Sequence, residues 1–130
     1  MRVCLPIWGS QLSTVFDFAS RFLLVDINGR KILAKEYIHI DRDLPPVLRV
    51  ARLNQHKVDL VICGAISNPL GAMVFHSGID VIPWVAGRVD EIIDAYIQNK
   101  LIAPRYALPG YDRGVGHRHR YRRRFRGGLY

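Results

Sequence analysis

Short apolar runs separated by turn residues fill the first third of the chain. Alternation over residues 2–7 predicts a first strand, and the apolar run 21–27 predicts a second. Asn28 and Gly29 then lead into a third strand over residues 31–40. Asn-Gly between two apolar runs is a strong hairpin signal, because both turn positions adopt a positive φ. The second and third strands are therefore predicted to be antiparallel.

Three helices are predicted further along. Asp43 followed by two prolines is typical of an N-cap with prolines in the first helical turn. It predicts a helix to about residue 55, with Val47, Leu48 and Ala51 facing inward. Asn68 and Pro69 repeat the signal before a second helix over residues 70–77. Apolar residues at i, i+3, i+4, i+7 and i+8 predict a third, amphipathic helix over residues 89–97.

Two more strands complete a sheet. Residues 58–63 form a nearly all-apolar run, which is typical of a strand buried on both faces, and residues 79–83 return as another strand. The connection between them is long enough for a helical crossover, so they are predicted to be parallel, with a right-handed crossover. The pattern predicts an α/β fold: a three-layer α/β/α domain with a mixed five-stranded sheet and one antiparallel hairpin.

In such sheets ligands bind beyond the carboxyl ends of the parallel strands. We call this edge the rim, and it comprises residues 8–13, 63–68 and 84–88. Trp8 and Trp84 either form walls of a crevice there or pack at the strand ends.

The segment 63–68 of the rim runs from a strand into a helix. Gly64 and Ala65 allow close approach of a ligand to the backbone, and the N–H groups at the helix start near Asn68 are suited to an anion. The alternative is a tight turn with a buried, inert Cys63, because free cysteines are among the most buried residues. Arg88 of the matching turn either neutralises an anionic ligand or is solvated.

Composition narrows the class of protein. The chain is 49% hydrophobic, which is sufficient for a core without disulfides, and its two cysteines form no CxxC motif. A reduced, cytoplasmic setting is therefore expected. No uncharged apolar run reaches the roughly 18 residues of a membrane span. The sequence also lacks a nucleophile elbow, an HExxH motif and a group of carboxylates for two-metal catalysis, so no enzymatic activity is predicted.

The net charge of +8 is concentrated at the C-terminus. Residues 1–104 are almost neutral, whereas residues 105–130 contain eight arginines and one aspartate. The Gly-, Arg- and His-rich composition of residues 103–130 predicts a flexible basic tail. The tail either solubilises the protein, or binds nucleic acid or another polyanion, or binds an acidic protein or anionic lipid. For nucleic acid, tyrosine and phenylalanine would stack on bases, and the phosphates would be neutralised by Arg118, Arg120, Arg122, Arg123, Arg124 and Arg126.

Three motifs in register resemble those of the dinitrogenase iron–molybdenum cofactor biosynthesis family. They are VDLVICGAI at residues 58–66, SGI at residues 77–79, and GRVDEIIDAY at residues 87–96. The first strand and the segment 13–26 also fit, so the resemblance covers roughly residues 1–102 as one domain. It implies a ribonuclease H-like fold without nuclease activity. It also implies a carrier or assembly role for an iron–sulfur or molybdenum-containing cluster or its precursor, with cluster-assembly or acceptor proteins as partners.

The loop after the first strand departs from the family pattern S-x-x-H-F-G-R-A. Val15 occupies the histidine position, and Asp17 occupies the glycine position. Cys63 therefore becomes the candidate metal ligand. The resemblance and the rim together give the candidate cofactor-binding residues as Ser13, Cys63, Gly64, Ala65, Ser67, Asn68, Gly87 and Arg88.

Overall fold

The structure, a computed structural model, describes residues 1–101. The predictions made for the basic tail, including those for its arginines, lie outside the described residues. The strands are β1 (Arg2–Trp8), β2 (Gln11–Leu12), β3 (Arg21–Asn28), β4 (Lys31–His39), β5 (Leu60–Ile62) and β6 (Asp80–Ile82). The helices are α1 (Pro46–Gln55), α2 (Asn68–His76) and α3 (Val89–Ile97), and a 3₁₀ turn covers Phe16–Phe18.

The strands form one mixed sheet in the order β4-β3-β1-β5-β6. Strand β3 is antiparallel to both of its neighbours, whereas β1, β5 and β6 are mutually parallel. This confirms the predicted hairpin and the ribonuclease H-like fold. The sequence pattern missed β2, which has two residues and pairs with the end of β1. An element this short carries no periodicity that could reveal it.

Helices cover both faces of the sheet, which explains the uninterrupted apolar runs of β1 and β5. On one face, Val3, Leu5 and Leu60 belong to a core that packs against α3. On the other face, Cys4 and Val61 belong to a second core that also contains the buried residues of α1 and α2. Successive side chains of a strand point to opposite faces, so β1 supplies both cores.

The inward face of α1 differs from the prediction. Val47 and Leu48, expected inside, are 65% and 48% exposed, and Ala51 is only half-buried. The buried residues of α1 are instead Arg49, Val50 and Leu53. The predicted N-cap is also wrong, because the cap residue is Pro45 and no side chain caps the helix.

Arg49 is the physical reason for this rotation of α1. Its side chain is 2% exposed, and its Nη1 donates a 2.7 Å hydrogen bond to the carbonyl of Ala19. The guanidinium carbon lies 5.9 Å from the ring centroids of both Phe16 and Phe22, which is within the range of cation–π attraction. A prediction from hydrophobicity places every arginine on the solvent side of a helix. For α1 it therefore selects the wrong inward face.

The rotation of α1 can be tested with two leucines of the same helix. Leu53→Ala should lower the free energy of unfolding by about 2–5 kcal/mol, because Leu53 is fully buried and its truncation leaves a cavity. Leu48→Ala is the matched control and should change it by less than about 0.5 kcal/mol. Urea denaturation measures both values, and a larger loss at Leu48 would contradict the observed face.

Candidate functional site

The structure brings the three segments of the rim together. Val15 forms a parallel bridge with Ala65, and Gln11 forms an antiparallel bridge with Arg88. The N–H of Leu12 donates to the carbonyl of Gly87 at 2.9 Å, and the N–H of Val89 donates to that of Ser10 at 2.9 Å. The loop after β1 therefore contacts both the turn after β5 and the turn before α3.

The loop 13–17 lies directly on the turn 63–67. The N–H of Ala65 donates to the carbonyl of Thr14, and the N–H of Phe16 donates to the carbonyl of Ala65, both at 2.8 Å. The carboxylate of Asp17 accepts a 2.9 Å hydrogen bond from the N–H of Ser67. These hydrogen bonds leave no space for a ligand between the loop and the turn. The backbone groups of the turn that were expected to face a ligand are bonded to the loop instead.

Gly64 is required by this contact between loop and turn. A Cβ atom at position 64 would lie 2.5 Å from the carbonyl oxygen of Thr14, which is closer than real Cβ atoms approach other atoms. The glycine thus lets the loop, rather than a ligand, approach the backbone.

Cys63 lies in the core beneath this contact. Its side chain is fully buried, and burial raises the pKa of its thiol, with Cys4 and Asp17 adding to the shift. Metal ions are bound by the thiolate, which these surroundings disfavour. The placement is that of a core cysteine, and it argues against Cys63 as a metal ligand.

The start of α2 is capped by Ser67, one residue before the predicted cap Asn68. The Oγ of Ser67 accepts a hydrogen bond from the N–H of Leu70 at 3.4 Å, and its carbonyl accepts one from Gly71 at 2.8 Å. Its own N–H is bound to Asp17, and Pro69 has no N–H. Most of the N–H groups that were expected to bind an anion therefore donate to oxygen atoms of the protein itself.

Arg88 lies on the other side of the rim, at the N-cap of α3. Its Nε is 3.4 Å from Oδ1 of Asp90, and both side chains are at least half exposed. The backbone N–H of Glu91 hydrogen-bonds to Asp90 and is the main cause of that residue's lowered pKa, to which Arg88 also contributes.

Aromatic side chains at the rim are exposed to an unusual extent. Trp8 is 76% exposed and Phe18 is 70% exposed, so neither packs at a strand end. Trp84 is half-buried and has a φ of 68°, a left-handed conformation that is rare for a bulky residue.

A cavity of about 190 Å³ opens on the α3 face of the sheet, beside Arg88. It is lined by Ile7, Gly9, Ser10, Leu23, Lys35, Tyr37, Arg88, Val89 and Asp90. Lys35 and Tyr37 come from the edge strand β4, and the sequence does not predict them as site residues because they belong to no motif. The only sequence signal is that they are two residues apart, and so on one face of that strand.

Two further properties concern metals and membranes. Within residues 1–101, no group of three or more His, Cys, Asp or Glu side chains is placed to hold a metal ion. No helix in the same range has the length and apolar character that a membrane crossing requires.

The chain belongs to the dinitrogenase iron–molybdenum cofactor family, whose model matches residues 1–99. Among solved structures, the crystal structure of a protein designated PH0822 shares 26% sequence identity, with a TM-score of 0.73 over 78% of this chain and 92% of that one. A candidate dinitrogenase from Methanocaldococcus jannaschii has a TM-score of 0.65 at 22% identity, over 78% of this chain and 91% of that one.

A candidate NifB protein from Thermotoga also shares the fold. Its TM-score is 0.63 at 21% identity, over 85% of this chain and 96% of that one. No protein with curated annotation matches the chain. The family assignment therefore rests on the family model, and the solved structures agree with it in fold.

The role of Gly64 can be tested by Gly64→Ala. The added methyl group must displace the backbone at Thr14, which should cost about 1–3 kcal/mol and weaken the bonds between loop and turn. Amide hydrogen exchange should therefore accelerate at Ala65 and Phe16. Gly9→Ala is the control: it places alanine at a φ of 63° with no atom within 4 Å, so it should cost stability without changing these two amides. Equal acceleration in both variants would contradict the proposed steric contact.

The bond between Asp17 and Ser67 can be tested by Asp17→Asn. Loss of the charge weakens the bond to the N–H of Ser67 and should lower the free energy of unfolding by about 1 kcal/mol. Asp43→Asn is the control, because no hydrogen bond to the Asp43 carboxylate is recorded within residues 1–101, and it should have an effect below about 0.5 kcal/mol. Thermal or urea unfolding provides the measurement, and equal effects of the two changes would count against the bond.

Proposed function

We propose that the protein is a non-enzymatic accessory protein that carries an iron–sulfur or molybdenum-containing cluster, or its precursor, during cofactor assembly. The observation that carries this proposal is the family match over residues 1–99. The name of the Thermotoga neighbour, a candidate NifB protein, is consistent with the same process. The cluster is cargo in this proposal, taken up and passed on unchanged.

The site favours cargo held by non-covalent contacts. Cys63 is buried with a raised thiol pKa, and within residues 1–101 no other set of metal-binding side chains is assembled. A metal–sulfur cluster is anionic, and Arg88 supplies an accessible cation at the rim. Ser13 and Gly87 are at the same edge, but they contribute backbone contacts within the protein. Arg88 is therefore the strongest of the sequence-predicted cargo contacts.

Partner proteins would dock at the same edge. Cluster transfer requires that donor and acceptor approach the cargo directly, and Trp8 and Phe18 lie exposed at the end of the sheet where Arg88 is found. Tryptophan is enriched among the residues that contribute most to binding energy, and phenylalanine is enriched in interfaces relative to the rest of the surface. The partners in this proposal are cluster-assembly or acceptor proteins.

The alternative, a nucleic-acid or polyanion binding module, depends wholly on the basic tail. Its arginines lie outside residues 1–101, and the family match ends before them. It remains a prediction from composition.

Anaerobic reconstitution tests the carrier function. The full chain is incubated with iron, sulfide and tetrathiomolybdate and passed through a size-exclusion column. We expect a metal–sulfur absorbance that co-elutes with the protein at a fixed stoichiometry. Protein that elutes without metal under all these conditions would overturn the proposal.

Serine substitutions at the two buried cysteines test whether a thiolate holds the cargo. Cys63→Ser and Cys4→Ser each replace a fully buried thiol on the same face of the sheet, so their effects on folding should be similar. If the cargo is held without a thiolate, both variants retain it. Loss of cargo from the Cys63 variant alone would show that Cys63 is a ligand and would contradict non-covalent binding.

A further inference from the structure

We propose that the cavity beside Arg88 is a binding site for a compact anion with an apolar or sulfur-rich body. Small organic carboxylates and tetrahedral thiometallates share this chemistry. The thiometallate case rests on the proposed carrier function, whereas the carboxylate case is independent of it.

The floor of the cavity is apolar. Ile7 at the end of β1, Leu23 in β3 and Val89 in α3 are all buried in the core on the α3 face, and they also line the cavity. A ligand that enters therefore covers hydrocarbon and gains from removing it from water. A strongly hydrated ion such as molybdate or phosphate gains nothing from such a floor.

The rim of the cavity carries more donors than acceptors. The ammonium group of Lys35 makes no recorded hydrogen bond or ion pair with any of residues 1–101, and the same holds for the hydroxyls of Tyr37 and Ser10. Within residues 1–101, the guanidinium of Arg88 has one ion-pair contact, from Nε to Asp90. Asp90, the one carboxylate that residues 1–101 contribute to the lining, already interacts with Arg88 and accepts a hydrogen bond from the N–H of Glu91. The groups of the lining that remain available are therefore positively charged or hydrogen-bond donors, and these favour an anionic ligand.

The position of the cavity agrees with the topology of the fold. Most of its lining comes from the end of β1, the start of β3 and the start of α3, at the carboxyl ends of the parallel strands. Lys35 reaches the cavity from further along the sheet, where β4 is level with Val25 of β3. Sheets of this type bind ligands at that edge. The cavity lies on the α3 face, so it is independent of the contact between loop and turn that closes the opposite face.

The volume limits the size of the ligand. A cavity of about 190 Å³ is somewhat larger than the roughly 150 Å³ that accommodates benzene in an engineered apolar core. A benzoate-sized carboxylate or a single tetrahedral thioanion is of this order. A nucleotide or a peptide would extend far beyond the lining.

Titrations of the full-length protein followed by amide NMR test the site. Benzoate is compared with neutral benzamide, and anaerobic tetrathiomolybdate is compared with molybdate, which has the same charge and shape but a hydrated oxygen surface. We expect saturable shifts at Ser10, Lys35, Tyr37 and Val89 with benzoate or tetrathiomolybdate, and at least about tenfold weaker binding of each control. No saturable shift with either anion, or shifts centred elsewhere, would overturn the proposal.

Two lysines of β4 give a matched control. Lys35→Met should weaken binding by about fivefold or more, because it removes one of the two cations of the cavity. Lys31→Met removes the same charge from the same exposed strand but outside the cavity, and binding should stay within about twofold. Equal losses would show general charge attraction and overturn the site.

The two sources of the ligand are distinguished by the same data. Benzoate binding without tetrathiomolybdate binding supports the site as one for organic carboxylates and rejects the thiometallate. Tetrathiomolybdate binding that Lys35→Met weakens places the cargo in this cavity. A failed cluster reconstitution combined with intact benzoate binding would overturn the carrier function alone.

Discussion

The contact between the loop 13–17 and the turn after β5 is the constraint on which the α2 side of the rim depends. It is possible only because residue 64 has no side chain, since a Cβ would lie 2.5 Å from the carbonyl oxygen of Thr14. Once the backbones touch, Ala65 donates a hydrogen bond to Thr14 and accepts one from Phe16, on either side of the bridge at Val15. The carboxylate of Asp17 then accepts a hydrogen bond from the N–H of Ser67. The closure of this half of the rim follows from that approach, and the bond from Ser67 to Asp17 ties the start of α2 to the loop.

Arg49 supports the same loop from below. Burial lowers the pKa of its guanidinium, while the charges of Asp17 and Asp41 act in the opposite direction. No carboxylate within residues 1–101 lies within ion-pair distance of it, so its recorded partners are the carbonyls of Ala19 and Asp41 and two aromatic rings. A buried cation bound to carbonyls at the end of the 3₁₀ turn fixes where that turn lies. Asp17 thus links the two supports, because it bonds to Ser67 above and attracts Arg49 below.

The sheet was predictable because its signals are local. Asn28-Gly29 specifies the hairpin, and the apolar runs of β1 and β5 indicate strands covered on both faces. The orientation of α1 was not predictable from hydrophobicity, because it depends on Arg49 meeting two phenylalanines from other elements. The meeting of the rim segments at one edge was predictable, since the ends of parallel strands lie together in a sheet. The hydrogen-bond partners within the rim were not predictable. Asp17 and Ser67, for example, are fifty residues apart, and nothing in their spacing indicates a bond.

The two halves of the rim differ in the cost of admitting a ligand. On the α2 side, a ligand at the turn must displace three hydrogen bonds, two between backbone groups and one that Asp17 accepts from Ser67. At about 1 kcal/mol each, this lowers affinity by roughly a hundredfold before any contact is gained. On the α3 side the cavity is already open, and within residues 1–101 the ammonium group of Lys35 and the guanidinium N–H groups of Arg88 other than Nε need no partner removed. Preorganisation therefore favours the α3 side for any anion that this fold carries, even though the strand-and-turn motif at residues 58–66 leads into the other side.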